Sequence, residues 1–252
     1  GAKATMQVCV KAIGAEGYED SEYCEKTEFI YQVYNEDSSG ELGLKVTYSE
    51  NEAGGEMYCA QFDGTADSLT VRSAAGTKQY DNPASPFDLS DAIKDENGKI
   101  KETDYIITVN AGEKSDTIVK DFVYGGGEGT EESPFEIANV RHFNNIHKNL
   151  DAFFVQSKDF SGGDQLVPVS VQSGAPFTGS YTADGLKNIE VALTGGEYPS
   201  LFGQVKGAVI RNIGVTGTIE STVPYTAGIA GLAEEAQITD CENSAVIIVS
   251  GS

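Results

Sequence analysis

The chain has 252 residues, 39% of them apolar and 22% charged, enough to bury a core of one large or two ordinary domains. Its 17 basic against 39 acidic side chains leave a net charge of -22, spread over both halves. A polyanion of this kind repels phosphate backbones and anionic lipid, so nucleic-acid partners are excluded and no membrane insertion is expected.

In the first half the predicted elements are short strands. Residues 6–10 and 29–34 alternate apolar and polar side chains, and further runs follow at 44–48, 57–62, 69–71, 105–109 and 118–124. β-Branched and aromatic residues fill these runs, and Gly, Asn, Asp and Ser fill the gaps. The pattern predicts an antiparallel β-sandwich of immunoglobulin-like architecture over residues 1–124. Within it, residues 74–104 form one irregular stretch with a helical turn expected at 89–94. Asn97-Gly98 lies between Ile93 and Ile100 and reads as a tight turn rather than part of a calcium loop. Cys9, Cys24 and Cys59 could supply one disulfide in an exported protein, but spacing does not choose the pair. Residues 125–130, Gly-Gly-Gly-Glu-Gly-Thr, lack any apolar anchor and are expected to be a flexible linker.

The second half, 131–252, repeats. Leu201-Phe202-Gly203 aligns with Ile229-Ala230-Gly231 at a spacing of 28, and Leu186 to Val191 aligns with Ile210 to Val215 at 24. Periods of this size, rich in glycine and β-branched residues, predict coils of a parallel β-helix with a continuous apolar interior. The alignment puts Leu186, Ile210 and Ile238 in one inward column and Ile189, Ile213 and Cys241 in the next. It makes Cys241 a buried thiol and Asn188, Asn212 and Asp240 a structural ladder that bonds backbone groups at a turn. It also stacks Lys187 over Arg211, the only candidate ligand-binding pair. A short helix presenting Val140, Phe143, Ile146 and Leu150 on one face is expected to cap the first coil. At the other end, residues 245–249 form the most apolar run, an unpaired edge expected to support self-association.

These segments resemble the repeats of GLUG-motif proteins. The resemblance rests on Ser200-Leu201-Phe202-Gly203-Gln204-Val205 and Ala227-Gly228-Ile229-Ala230-Gly231-Leu232. They are followed by Val209-Ile210-Arg211-Asn212-Ile213 and Gln237-Ile238-Thr239-Asp240-Cys241. The opening Gly129-Thr130-Glu131-Glu132-Ser133-Pro134-Phe135 is also similar to the family's entry segment. One departure is Glu234-Glu235-Ala236, where the unit's second glycine is replaced. Over residues 129–252 the resemblance implies a right-handed β-helix on a secreted or surface-exposed bacterial protein, often adhesin-like.

No catalytic signature accompanies it. His142 and His147, five apart, do not share a helix face as a zinc-binding i,i+4 pair would, and read as partly exposed helix residues. No metal set, cofactor motif or nucleophile elbow is present. The expectation is a non-catalytic binding or adhesion module whose partner is a surface glycan or protein. A polysaccharide lyase or hydrolase and a structural spacer are the alternatives. The opening residues show no signal-peptide pattern, so any export signal or anchor would lie outside this stretch.

Overall fold

The computed structural model describes residues 3–8, 27–32 and 40–251. Its contacts divide the chain into two units. The first holds Gly1–Lys45, Ala60–Phe87 and Asp104–Lys120; the second holds Val46–Cys59, Asp88–Thr103 and Asp121–Ser252. The chain is all-β with a few short helices. Cys9 and Cys24 lie outside the described residues; Cys59 is a buried free thiol.

In the first unit, β1 (Lys3–Val8) pairs antiparallel with β2 (Thr27–Gln32). Four more strands, β5 (Ser68–Ser73), β6 (Gly76–Asp81), β8 (Tyr105–Ala111) and β9 (Lys114–Lys120), form an antiparallel sheet in the order β6-β5-β8-β9. Alternation sets its buried face: Leu69, Val71, Ile107, Val109 and Ile118 are all inside. One carboxylate, Asp116, shares that face. The amides of Leu42 and Leu44 donate to its Oδ2 at 3.0 and 3.2 Å, so the buried oxygen is satisfied. A Cβ at Gly40 would lie 1.8 Å from Asp116 Oδ1, which restricts that position to glycine. Strands β3 (Lys45–Glu50), β4 (Glu56–Gln61) and β7 (Phe87–Asp88) make a further sheet in the order β3-β4-β7.

The second unit contains a β-solenoid of about three turns. On one face β10 (Phe135–Ile137), β11 (Phe153–Gln156), β13 (Ser180–Ala183), β16 (Val209–Arg211) and β19 (Gln237–Thr239) stack in parallel. On a second face β12 (Phe160–Gly163), β14 (Lys187–Thr194) and β17 (Ile213–Ser221) stack likewise; β20 (Glu242–Asn243) and β21 (Val246–Val249) both pair with β17. The third face is β15 (Gln204–Lys206) on β18 (Leu232–Glu234), continued by a bridge from Phe177 to Val205.

The interior columns follow from these registers. Phe135, Phe154, Tyr181, Ile210 and Ile238 succeed one another, and Leu193, Ile219 and Ile247 form a second column. Phe177, Phe202 and Phe143 fill the space between, with Phe177 and Phe202 centroids 5.1 Å apart. The spacing of 28 holds from Gln204 to Leu232, Ile210 to Ile238 and Ile219 to Ile247. The spacing of 24 does not hold. Ile210 faces Tyr181, 29 residues earlier, and Ile213 faces Lys187, 26 residues earlier. Asp184-Gly185-Leu186 form a longer turn in the earlier coil, and Leu186 is 43% exposed rather than inward. Glu235 takes the place that Gly207 holds one coil before and keeps a left-handed backbone, φ 52° against 62°.

Residues 125–130, expected as a linker, lie inside the second unit and are bonded into it. Gly125 N–H donates to Glu136 O, Glu136 N–H to Gly126 O, and Phe153 N–H to Gly129 O, at 2.8 to 3.0 Å. Gly127 has φ 84°, and a Cβ there would sit 1.9 Å from Pro134 O. The glycines permit a close, left-handed turn instead of supplying slack.

Three short helices complete the described residues. The expected helical turn is α1 (Ser90–Ile93), and the turn after it closes with Asp95 N–H donating to Lys99 O and Gly98 at φ 77°. Asn139 Oδ1 caps α2 (Val140–Asn144) by accepting from His142 N–H at 2.9 Å, and a 3-10 turn, Asn145–Lys148, continues it. Phe143 and Ile146 are buried in the solenoid core, with Val140 and Leu150 packed against it. The third, α3 (Val169–Ser173), ends at Gly174 with φ 66°. None of the described helices is long and apolar enough to cross a membrane.

Candidate functional site

The densest polar chemistry gathers around the start of α2. Arg141 reaches Glu56 with two nitrogens, Nε to Oε2 at 2.9 Å and Nη2 to Oε1 at 2.5 Å. Its third nitrogen, Nη1, donates to Glu102 Oε1 at 2.6 Å and to Phe122 O at 2.9 Å. The planar guanidinium thus clamps one carboxylate in bidentate fashion and holds a second at its far edge. Asn145 Nδ2 also donates to Glu102 Oε1, at 2.7 Å, and Lys148 pairs with Glu102 Oε2.

His142, expected at the surface, is fully buried. Capping by Asn139 turns its ring inward, a consequence of its place in the first turn that helical spacing alone does not reveal. Ala138 N–H donates to His142 Nδ1 at 3.2 Å, which leaves the ring proton on Nε2. That Nε2 lies 2.8 Å from both Glu56 Oε1 and the Tyr58 hydroxyl. Burial, reinforced by the Arg141 charge, lowers the His142 pKa below its ordinary value, so the ring is neutral near pH 7. Burial alone would raise Glu56, but bonds from His142 and Arg141 overcome it and hold the carboxyl well below the ordinary range. Desolvation pushes the Tyr58 hydroxyl far up, and that hydroxyl also reaches Tyr124 O at 2.9 Å.

Beside this network opens a cleft of about 420 Å³, bounded by Lys99, Glu102, Arg141, Asn144 and Gln165. Two of its charged walls, Arg141 and Glu102, are bonded to each other. No buried side-chain nitrogen or oxygen among the described residues lacks a partner. No group of three or more His, Cys, Asp and Glu side chains among them is placed to hold a metal ion. The arrangement therefore ties β4, the segment around Glu102 and α2 to one another within the second unit. His147, half-buried, bonds its own turn through Nδ1 and Asn144 O at 2.6 Å.

The residues singled out from the sequence are dispersed. Lys187 opens β14 opposite Ile213, whereas Arg211 closes β16 opposite Thr239, so the two cations do not stack. Arg211 instead pairs with Asp240 at 3.1 Å, both exposed. Asn212 and Asp240 do occupy equivalent turn positions, with φ 61° and 54°, and Asn212 Nδ2 donates across coils to Ala183 O at 2.7 Å. Asn188 is not in that ladder; it lies in β14 opposite Gly214. Cys241 is half-buried rather than buried, its Sγ 3.2 Å from Thr239 O. A bridge that motif alignment does not reveal is Ser200. Its buried Oγ accepts from Gly203 N–H at 2.9 Å and from Gly231 N–H, one coil on, at 3.1 Å.

No family model and no solved structure matches this chain. Among curated proteins it is 27% identical over 124 residues to a protein of Evansella cellulosilytica named "Putative Gly-rich membrane protein". The match covers 43% of this chain and 14% of that protein.

Proposed function

We propose that the chain is a non-catalytic binding module of an exported bacterial surface protein, recognising a glycan or a protein through its solenoid. The observation that carries the reading is the division of labour in the second unit. Its reactive groups, Glu56, Arg141, His142 and Glu102, are bonded to one another in a structural clasp. Its parallel strands meanwhile hold rows of outward side chains in fixed register, as in the alternating burial of β14. Regular outward rows on a rigid frame suit recognition. Likeness to GLUG repeats supports the same reading, and with it a right-handed coil capped by α2. The antiparallel sheet of β5, β6, β8 and β9 supports an immunoglobulin-like sandwich in the first unit, but not its extension over all of residues 1–124, because 46–59 and 88–103 belong to the second unit. The exposed β21 edge is where a second copy would pair. Arrays of glycans and host-matrix proteins, run beside an assay for polysaccharide cleavage, test the proposal. Retention without turnover is expected; product release from any polysaccharide would reject it.

A further inference from the structure

Two tyrosines stand on successive corners of the solenoid. Tyr198 and Tyr225 have ring centroids 5.5 Å apart at an interplanar angle of 35°, and Tyr225 is 51% exposed. Their backbones are fixed by the stack itself: Ala227 N–H donates to Pro199 O at 3.1 Å, and Leu201 N–H to Gly228 O at 3.0 Å. Tyr225 holds φ 65°, a conformation that disfavours a bulky aromatic, yet the ring is kept there facing outward. Tyr198 also lines a cleft of about 200 Å³ with Val171, Pro199, Thr194, Asp164 and Glu197. Val171 is an exposed apolar side chain on α3, 43% accessible. Among the described residues, Asp164 and Glu197 make no ion pair or side-chain hydrogen bond; both are exposed.

We infer that Tyr198 and Tyr225 form an aromatic platform that, with the adjoining cleft, binds a neutral oligosaccharide. Tyrosine faces are electron-rich and accept the C–H face of a pyranose ring, while the exposed Val171 covers its apolar edge. Asp164 and Glu197 are acceptor-only groups that match sugar hydroxyls through charge-assisted bonds. The same carboxylates, on a chain of net charge -22, repel uronic acids, sulfated glycans and phosphate. The cleft is smaller than the roughly 300–1,000 Å³ of sites for drug-sized ligands and cofactors, so it takes one sugar ring and the tyrosine pair takes its neighbours.

This inference rests on the binding-module reading, and the experiment separates the two. The chain has no tryptophan, so tyrosine emission can report binding directly. The whole chain is titrated with neutral hexasaccharides of the β-1,4-glucose, mannose, xylose and N-acetylglucosamine series, with oligogalacturonate and a proline-rich peptide as comparators. At least one neutral series should bind. Tyr198→Leu and Tyr225→Asn should each weaken it about tenfold or more, the equivalent of losing one good stacking contact. Asn suits the left-handed backbone at 225, so that variant decides the matter if Tyr198→Leu fails to fold. Neutral-sugar binding unchanged in Tyr225→Asn would overturn the site and leave the broader reading intact. Preference for the peptide or for oligogalacturonate would overturn it too, as would capture of a matrix protein with no sugar bound. Binding to nothing on either array would remove both.

Discussion

The middle and last coils of the solenoid obey one register yet differ in burial. Ile210 and Ile219 are fully buried, while their partners one coil on, Ile238 and Ile247, are each 37% exposed. Val205 is buried, while its partner one coil on, Ala233, is exposed. The difference teaches that an inward position in a solenoid is made by neighbours on both sides, not by its own coil.

The largest effect that would sharpen the contrast is at Phe202, which touches Phe143, Phe177 and Tyr181. Phe202→Ala should cost about 4 kcal/mol, as for a large buried side chain replaced by a void, whereas Ile238→Ala, at an inward position left 37% exposed, should cost less than about 2 kcal/mol. Denaturant unfolding of both variants measures this; equal losses would break the comparison. Next comes the clasp. Arg141→Ala leaves Glu56 and Glu102 poorly paired and should cost about 3 kcal/mol, read from the same unfolding curves.

Acid should act through the same residues. His142 has its folded pKa held below the ordinary 6.5, so the folded chain takes up that proton less readily than the unfolded chain. Its contribution is complete above pH 6.5 and is lost as pH falls below it. Glu56 and Glu102 are also held below their ordinary 4.5, so their contribution is present above that pH and lost below it. Tm should therefore fall from pH 7 to pH 5 and fall more steeply below. His142→Gln should flatten the upper part of that profile. A Tm that rises on acidification would mean the clasp is assembled otherwise.

The smallest effect belongs to the exposed pairs that join the two coils, Lys206 with Glu234 and Arg211 with Asp240. Lys206→Ala and Arg211→Ala should each shift stability by no more than about 1 kcal/mol and less in high salt. A larger loss would give the last coil an electrostatic attachment that its exposure does not suggest.

What the sequence disclosed follows from where the chain keeps its period. The last two coils have equal length on all three faces, so Leu201-Phe202-Gly203 and Ile229-Ala230-Gly231 align by inspection. One coil earlier the inward partner of Ile210 is a tyrosine, and a longer turn intervenes before β14. Matching like with like then aligned Asn188 with Asn212 and moved Lys187 over Arg211. Packing asks only for bulk at an inward position, so Phe154, Tyr181 and Ile210 can succeed one another without resembling one another. The clasp was hidden for another reason. Glu56, Glu102 and Arg141 come from three distant segments, and nothing local marks them as partners. The one available signal was Asn139, a capping residue three before His142, which turns that ring toward the interior.

Ser200 has a consequence for how the solenoid opens. Its single hydroxyl oxygen receives one amide from its own turn, Gly203, and one from the next coil, Gly231. Those two amide protons share an acceptor, so the peeling of the last coil frees Gly231 for exchange with solvent deuterium while Gly203 keeps its bond. Detachment of the last coil and loosening of its foundation thereby acquire separate clocks, read at two glycines 28 positions apart.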